Sequence, residues 1–255
     1  MALNHVVDKK LAFLVCGAQK SGTTALAAYL RQHPEIFLPE EKELHFFDDE
    51  TQSWPNANWN ELHSKFANAL SNQQWGEATP ISMYWDAAPE RIWSYNPKMR
   101  LIVVLRNPIE RAYSHWSMEK SRNAEPLSFE EALQREEERS REALPKQHRV
   151  FSYTDRGFYS SQIKRLWRFF GKDQVLVLRH ENLRSTPDIC LKKIWEHLGL
   201  NHAQDIKPLE RHAGNYERPM SLKAHRRLRR IYWHEISQLE ALLNWDCSNW
   251  LKKNP

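Results

Sequence analysis

Only three cysteines occur in 255 residues, Cys16, Cys190 and Cys247, and no two have CxxC spacing. They are too few and too scattered for a disulfide scaffold, which points to buried free thiols in a reducing compartment. The 12 histidines include no HExxH and no His/Cys cluster, so no metal is expected. No apolar run approaches the roughly 20 residues that span a bilayer. The run LAFLVCGA at 11–18, after Lys9 and Lys10, mimics a short signal peptide but stops at Gln19-Lys20-Ser21. A buried strand explains the loop that follows, and a signal sequence does not. Internal repeats are absent. Charge of one sign is not in large excess either: a net +5 favours anionic ligands without demanding nucleic acid. Neither nucleic acid nor membrane is expected as a partner.

What is present has the rhythm of a layered α/β chain. Unalternated apolar runs at 11–16, 101–105 and 175–178 suit parallel strands buried on both faces. Helical spacing predicts helices over 24–33, stopping before Pro34, and over 159–170 with Gly171 as C-cap. Further helices are predicted over 187–198, between Pro187 and Gly199, and over 221–243. Residues 48–75, rich in Asn and Trp, are expected to cover one edge. Ser128 and Glu131 form a capping-box pattern that opens a charged helix within 121–150. Its apolar face is thin, and the segment reads as an exposed helical flap. At this length the chain fits one domain, 1–255.

The most informative stretch is FLVCGAQKSGTT, 13–24. An apolar run enters a small-residue turn and then a helix start, where free N–H groups and the helix dipole favour phosphate. The pattern resembles a Walker A loop, with Gly17 and Gly22 at the right spacing. Thr23, however, stands where the lysine should follow, and the lysine is Lys20. A nucleoside-triphosphate enzyme needs its lysine after the second glycine. The loop therefore suits a different phosphate-bearing ligand. Three further patches accompany it: PEEKELHFFD at 39–48, LIVVLRNPIERAYSHW at 101–116, and RGFY at 156–159. Ligands of open parallel sheets sit beyond the carboxyl ends of strands, which puts Arg106 on the rim that carries Lys20.

In this order, KSGTT, KELHFFD, LRNPIERAYSHW and RGFY resemble a sulfotransferase, most closely the heparan-sulfate N- and 3-O-sulfotransferase branch and its bacterial relatives. The likeness runs from about 11 to 245. It implies an α/β, P-loop-like three-layer domain with a central, mostly parallel sheet flanked by helices. The implied donor is 3′-phosphoadenosine 5′-phosphosulfate, and no metal is needed. By the resemblance Lys20, Ser21, Gly22, Thr23 and Thr24 hold the phosphosulfate, and Lys20 meets the oxygen bridging phosphorus and sulfur. Arg106 and Ser114 match the 3′-phosphate contacts, a group ATP lacks. Glu43 matches the general base, His45 is the alternative base, and Lys42 is a candidate to help hold the sulfonate. Tyr159 and Gly157 are expected at the adenosine wall, although Tyr159 also suits a helix-start core position. Glu77, in GEATP, either touches the acceptor or caps local structure.

The chain departs from the glycan enzymes at 210–221, ERHAGNYERPMS, which lacks their cysteine-bracketed KGR-like loop. Arg211, His212, Asn215 and Arg218 are the candidates to close over the donor there. The acceptor is accordingly expected to be a saccharide or a small polar natural product. Without a Golgi-type anchor, the expectation is a soluble, cytoplasmic, bacterial enzyme of open oligomeric state. HRRLRR at 225–230 reads as a solvated helix face, or else as a grip for an anionic glycan. The rival functions are a P-loop nucleotide-dependent kinase and a non-catalytic polyanion or glycan binder.

Overall fold

The computed structural model describes residues 9–203, 205–209 and 218–252. The chain opens with β1 (Phe13–Gly17), α1 (Thr23–Leu30), β2 (Ile36–Phe37), α2 (Trp59–Ser64) and β3 (Gln74–Glu77). It continues through α3 (Ala88–Tyr95), β4 (Arg100–Leu105), α4 (Pro108–Ser121), α5 (Phe129–Glu142) and α6 (Tyr159–Phe169). It closes with β5 (Val175–Arg179), α7 (His180–Ser185), α8 (Pro187–Leu198) and α9 (Leu222–Leu243). The five strands form one sheet in the order β2-β3-β1-β4-β5, and all four pairings are parallel.

Strand alternation sorts the apolar runs onto two faces. Leu14 and Cys16 of β1 and Leu101, Val103 and Leu105 of β4 enter one core with Ile92, Ile109, Ile163 and Leu228 of α3, α4, α6 and α9. Phe13, Val15, Ile102 and Val104 face the other way, against Leu26 and Leu30 of α1 and Leu191 and Ile194 of α8. Helices therefore cover both faces, in three layers. Each fully buried aliphatic side chain contributes about 1.5–3 kcal/mol, so β1 and β4 form a stiff floor. After β1 the chain moves toward β2 and β3, and after β4 toward β5. The carboxyl ends of β1 and β4 thus flank the point where strand order reverses, the usual ligand crevice of an open parallel sheet.

The predicted strands and capped helices are found with shifted bounds. Helix α8 ends at Gly199 in the left-handed conformation (φ 68), and Ser221 caps α9 by accepting from the Ala224 N–H. The capping box of Ser128 and Glu131 is present. Gly171 differs from expectation. Its φ is −57, the turn of α6 ends on Phe170, and the glycine instead opens the short Lys172–Gln174 turn. The charged helix α5 also differs, because it packs down rather than standing clear as a flap. Phe129, Ala132, Leu133 and Glu136 are buried, and the Glu136 carboxylate accepts from the backbone N–H groups of Thr154 and Asp155. Within 48–75, Trp54 meets Phe46 edge-on, and Trp59 packs tilted against Phe46 and Tyr95. The three cysteines are free and buried.

Candidate active site

The loop between β1 and α1 is shaped by two glycines. Gly17 allows close approach, since a Cβ there would lie 2.4 Å from the Met83 sulfur. Gly22 has φ 90 and forms the N-cap of α1, a left-handed geometry that side chains rarely adopt. Lys20 is also left-handed, at φ 69, a conformation that costs energy in a non-glycine residue and clusters at functional sites. The loop is pinned to the sheet by the Ala18 N–H on the Val104 carbonyl (2.9 Å) and closed by the Ser21 N–H on the Ala18 carbonyl. The N–H groups of Gly22, Thr23, Thr24 and Ala25 have no backbone acceptor among the described residues. They form an open donor set at a helix N-terminus.

Positive charge gathers around this loop. Burial holds the Lys20 ammonium below its ordinary pKa, and Arg122 and Arg106 push the same way, against Glu119 and Glu43. Arg106, at the end of β4, reaches the Lys20 carbonyl at 3.5 Å and pairs with Glu110 at 3.1 Å. The surface-type ion pair and the rim position thus coexist. Asn107 caps α4 by accepting from the Ile109 N–H and donates to the Trp250 carbonyl. This carries the chain from the rim into α4, where Ser114 is buried. Next to it, the Tyr113 hydroxyl donates to the Arg218 carbonyl. Arg156, buried and lowered to a pKa of about 10 by desolvation, donates through Nη1 to the Gln19 side chain and braces the loop from behind.

A second array lies near enough to the loop for its Glu43 carboxylate to act on the Lys20 charge. The Glu43 carboxylate lies 3.2 Å from the Lys42 ammonium and 3.4 Å from His45 Nε2. The other ring nitrogen, Nδ1, is 2.9 Å from Asp48 Oδ2. The hydrogen bond that its ring donates to Asp48 raises the His45 pKa above its ordinary value, with burial opposing. Burial alone would raise Asp48, but His45 and Arg149 hold its carboxyl below the usual range. Both ring nitrogens of His45 already face a carboxylate, Nδ1 that of Asp48 and Nε2 that of Glu43. Glu43 is therefore the better-placed acceptor of the two. His45 itself is left-handed, at φ 54.

Residues 11–229 match the family described as "Sulfotransferase domain". The chain belongs to the sulfotransferase family. It is 28% identical over 209 residues to bifunctional heparan sulfate N-deacetylase/N-sulfotransferase 1 of Xenopus tropicalis, covering 78% of this chain and 23% of that protein. With heparan sulfate glucosamine 3-O-sulfotransferase 6 of Mus musculus it shares 30% over 190 residues, covering 73% of this chain and 52% of that protein. The chain thus spans about a quarter of the first relative and about half of the second. A solved sulfotransferase from Alicyclobacillus acidocaldarius superimposes with a TM-score of 0.82 at 27% identity, covering 95% of this chain and 99% of that one.

Lys20, Ser21, Gly22, Thr23 and Thr24 run from the loop into the start of α1 with Arg106 beside them, and the Glu43 carboxylate lies close enough to act on the Lys20 charge. Tyr159 is fully buried, and its hydroxyl donates to the Arg106 carbonyl at 2.9 Å. That is a core position behind the rim. Arg218 is exposed, whereas Arg211, His212 and Asn215 lie outside the described residues. The sequence reading missed Gln19, Arg149 and the part of Asp48. Asp48 stood within KELHFFD, but Arg149 carries no local signal, because it meets Asp48 from 101 positions away.

Glu77 caps local structure. Its carboxylate accepts from the Leu44 N–H (3.3 Å) and the Thr79 hydroxyl, which in turn accepts from the His45 N–H. Burial pushes Glu77 up to about 7. The folded state therefore holds a proton that the unfolded chain has released, between the ordinary value of 4.5 and about 7. Stability contributed by that proton is full below the unfolded value and is lost as pH rises through about 7. Glu136 is raised to the same level by burial and adds a slope of the same sign. Glu77→Gln is expected to flatten the decline between pH 5 and 8 by up to about 3 kcal/mol, read as urea-unfolding free energies of variant and parent. An unchanged slope would show that Glu77 stays ionised in the fold.

Proposed function

We propose that this protein transfers a sulfuryl group from 3′-phosphoadenosine 5′-phosphosulfate to a hydroxyl or amine of a saccharide or small polar natural product. Transfer is in line, without a covalent enzyme intermediate and without a metal. The observation that carries this reading is the position of Lys20, left-handed in the loop that leads into the N-terminus of α1, with the Arg106 guanidinium 3.5 Å from its carbonyl. A lysine among cations, at a helix N-terminus with open amides, fits a polyanion.

When bound, the donor supplies a sulfuryl group on a phosphate leaving group. The amides at Gly22 to Ala25 and the hydroxyls of Thr23 and Thr24 would hold its 5′ end, and Arg106 and Ser114 its 3′-phosphate, an arginine fork suiting a phosphate dianion. Lys20 would neutralise charge growing on the bridging oxygen, an interaction stronger in the transition state than in the ground state. Glu43 Oε2 would take the acceptor proton, and Lys42 and His45 would orient its carboxylate.

Full-length protein should be stabilised by 3′-phosphoadenosine 5′-phosphate, by about 2.7 kcal/mol at a hundred times Kd, and far less by ATP with Mg²⁺. With labelled donor, a panel that includes glucosamine and a heparan oligosaccharide should contain an acceptor that gains a sulfonate mass. Preference for ATP would overturn the donor assignment, and ligand binding with no transfer to any acceptor would leave a polyanion binder. A bacterial, cytoplasmic setting is proposed from the full-length match to a bacterial sulfotransferase and the three free thiols, to be checked by fractionation of native cells. No helix among the described residues is long and apolar enough to cross a membrane.

A further inference from the structure

Arg149 lies between α5 and the short Asp155–Gly157 turn. Its Nη1 donates to Asp48 Oδ2 at 2.7 Å, and its Nη2 donates to the Asp48 backbone carbonyl. The guanidinium lies 4.4 Å over the ring of Trp85. Its own backbone carbonyl accepts from Arg156 Nη2 at 2.6 Å, and Arg156 is the residue that grips Gln19 in the Lys20 loop. From Asp48 the contacts run on through His45 to Glu43. An unbroken chain of polar contacts therefore joins Gln19, Arg156, Arg149, Asp48, His45 and Glu43.

We propose that Arg149 is a positioning residue that fixes the Glu43 carboxylate through Asp48 and His45 and ties it to the loop that holds the donor. The inference rests on Glu43 serving as the base. Two observations separate this role from simple packing. The Asp48 side chain has no solvent exposure, whereas that of Arg149 is 42% exposed, so the arginine adds little to the core but is, with His45, one of the two ion-pair partners of a buried carboxylate among the described residues. A buried charge that loses a partner is driven to rearrange. His45 also holds a left-handed backbone, which persists only while its surroundings over-determine it. The Asp48 bond to its ring, itself held by Arg149, is one of those constraints. A shift of about 1 Å at a reacting group can cost on the order of 10²-fold in rate.

The test compares Arg149→Ala, Arg149→Lys, Asp48→Asn, Glu43→Gln and the Arg149→Ala/Asp48→Asn double variant of the full chain. Each is assayed with labelled donor and the panel acceptor of highest turnover, and 3′-phosphoadenosine 5′-phosphate binding is measured by calorimetry. Arg149→Ala is expected to lower kcat by about 10²-fold with donor Kd unchanged. Added guanidinium ion should restore part of the rate, Arg149→Lys should fall between, and the double variant should be no slower than Asp48→Asn alone. A merely structural role would lower stability without the kcat-against-Kd split or the rescue. Wild-type kcat in Arg149→Ala, with Glu43→Gln still slow, would overturn this inference alone, as would fully additive losses in the double variant. Full activity of Glu43→Gln would remove the base assignment and this inference with it. Should Arg149→Ala lose cooperative unfolding, the decision passes to Arg149→Lys, whose single ammonium cannot reproduce the two-pronged grip. Unchanged kcat there overturns the proposal.

Discussion

Glu43→Gln should reduce turnover by about 10²–10⁴-fold, the range for a positioned general base, while donor binding stays near that of the parent. The amide keeps the shape of the carboxylate, and its one oxygen can still accept from either Lys42 or His45, which lie 3.2 Å and 3.4 Å from the two carboxylate oxygens. What it loses is the ability to take a proton. In the proposed reaction the acceptor hydroxyl or amine sheds its proton as it attacks sulfur, so the loss is expected on kcat rather than on donor affinity. Turnover equal to the parent's would move the base elsewhere, and His45 would be next in line. His45 is nevertheless disfavoured, because its two ring nitrogens already face the Asp48 and Glu43 carboxylates. Steady-state kinetics with saturating donor, alongside calorimetric donor binding, make the distinction.

The second large effect is expected at Lys20. Lys20→Ala should cost on the order of 3 kcal/mol of transition-state stabilisation, roughly two powers of ten in kcat. In the proposed reaction its ammonium meets charge on the leaving oxygen, and the surrounding amides cannot replace a full positive charge. Arg106 and Arg122 remain in the variant, so binding of the anionic donor persists while the chemical step slows. A rise in donor KM with kcat unchanged would refute the leaving-group role and leave Lys20 as a ground-state contact.

Much of this framework was legible in the chain. Strands buried on both faces must be apolar at every position, which is why LIVVL and VLVL stood out. The edge strand Ile36–Phe37 is too short to announce itself, and Gln74–Glu77 reads as polar because Glu77 is buried as a hydrogen-bond acceptor. The same cause hid α4 and misplaced α5. Helix α4 buries Arg111, Ser114, His115 and Glu119 on its inner face, and α5 turns Glu136 inward to satisfy two amides. Apolar periodicity does not see a polar side chain that is buried because it has partners. The KSGTT and LRNP stretches were legible because a phosphate-type loop is local in sequence. The Arg149–Asp48 pairing was not, because only the fold brings it about.

The crowding of cations at Lys20 has a thermodynamic consequence for the order of events. Arg106 and Arg122 weaken the hold of Lys20 on its proton, and an arriving anion offsets that repulsion. By reciprocity, whatever favours protonation of Lys20 on anion binding also makes the protonated loop the tighter binder, by the same factor. Occupancy and protonation therefore reinforce each other. In the proposed reaction a bound donor would tighten the hold of Lys20 on the proton that its leaving group uses.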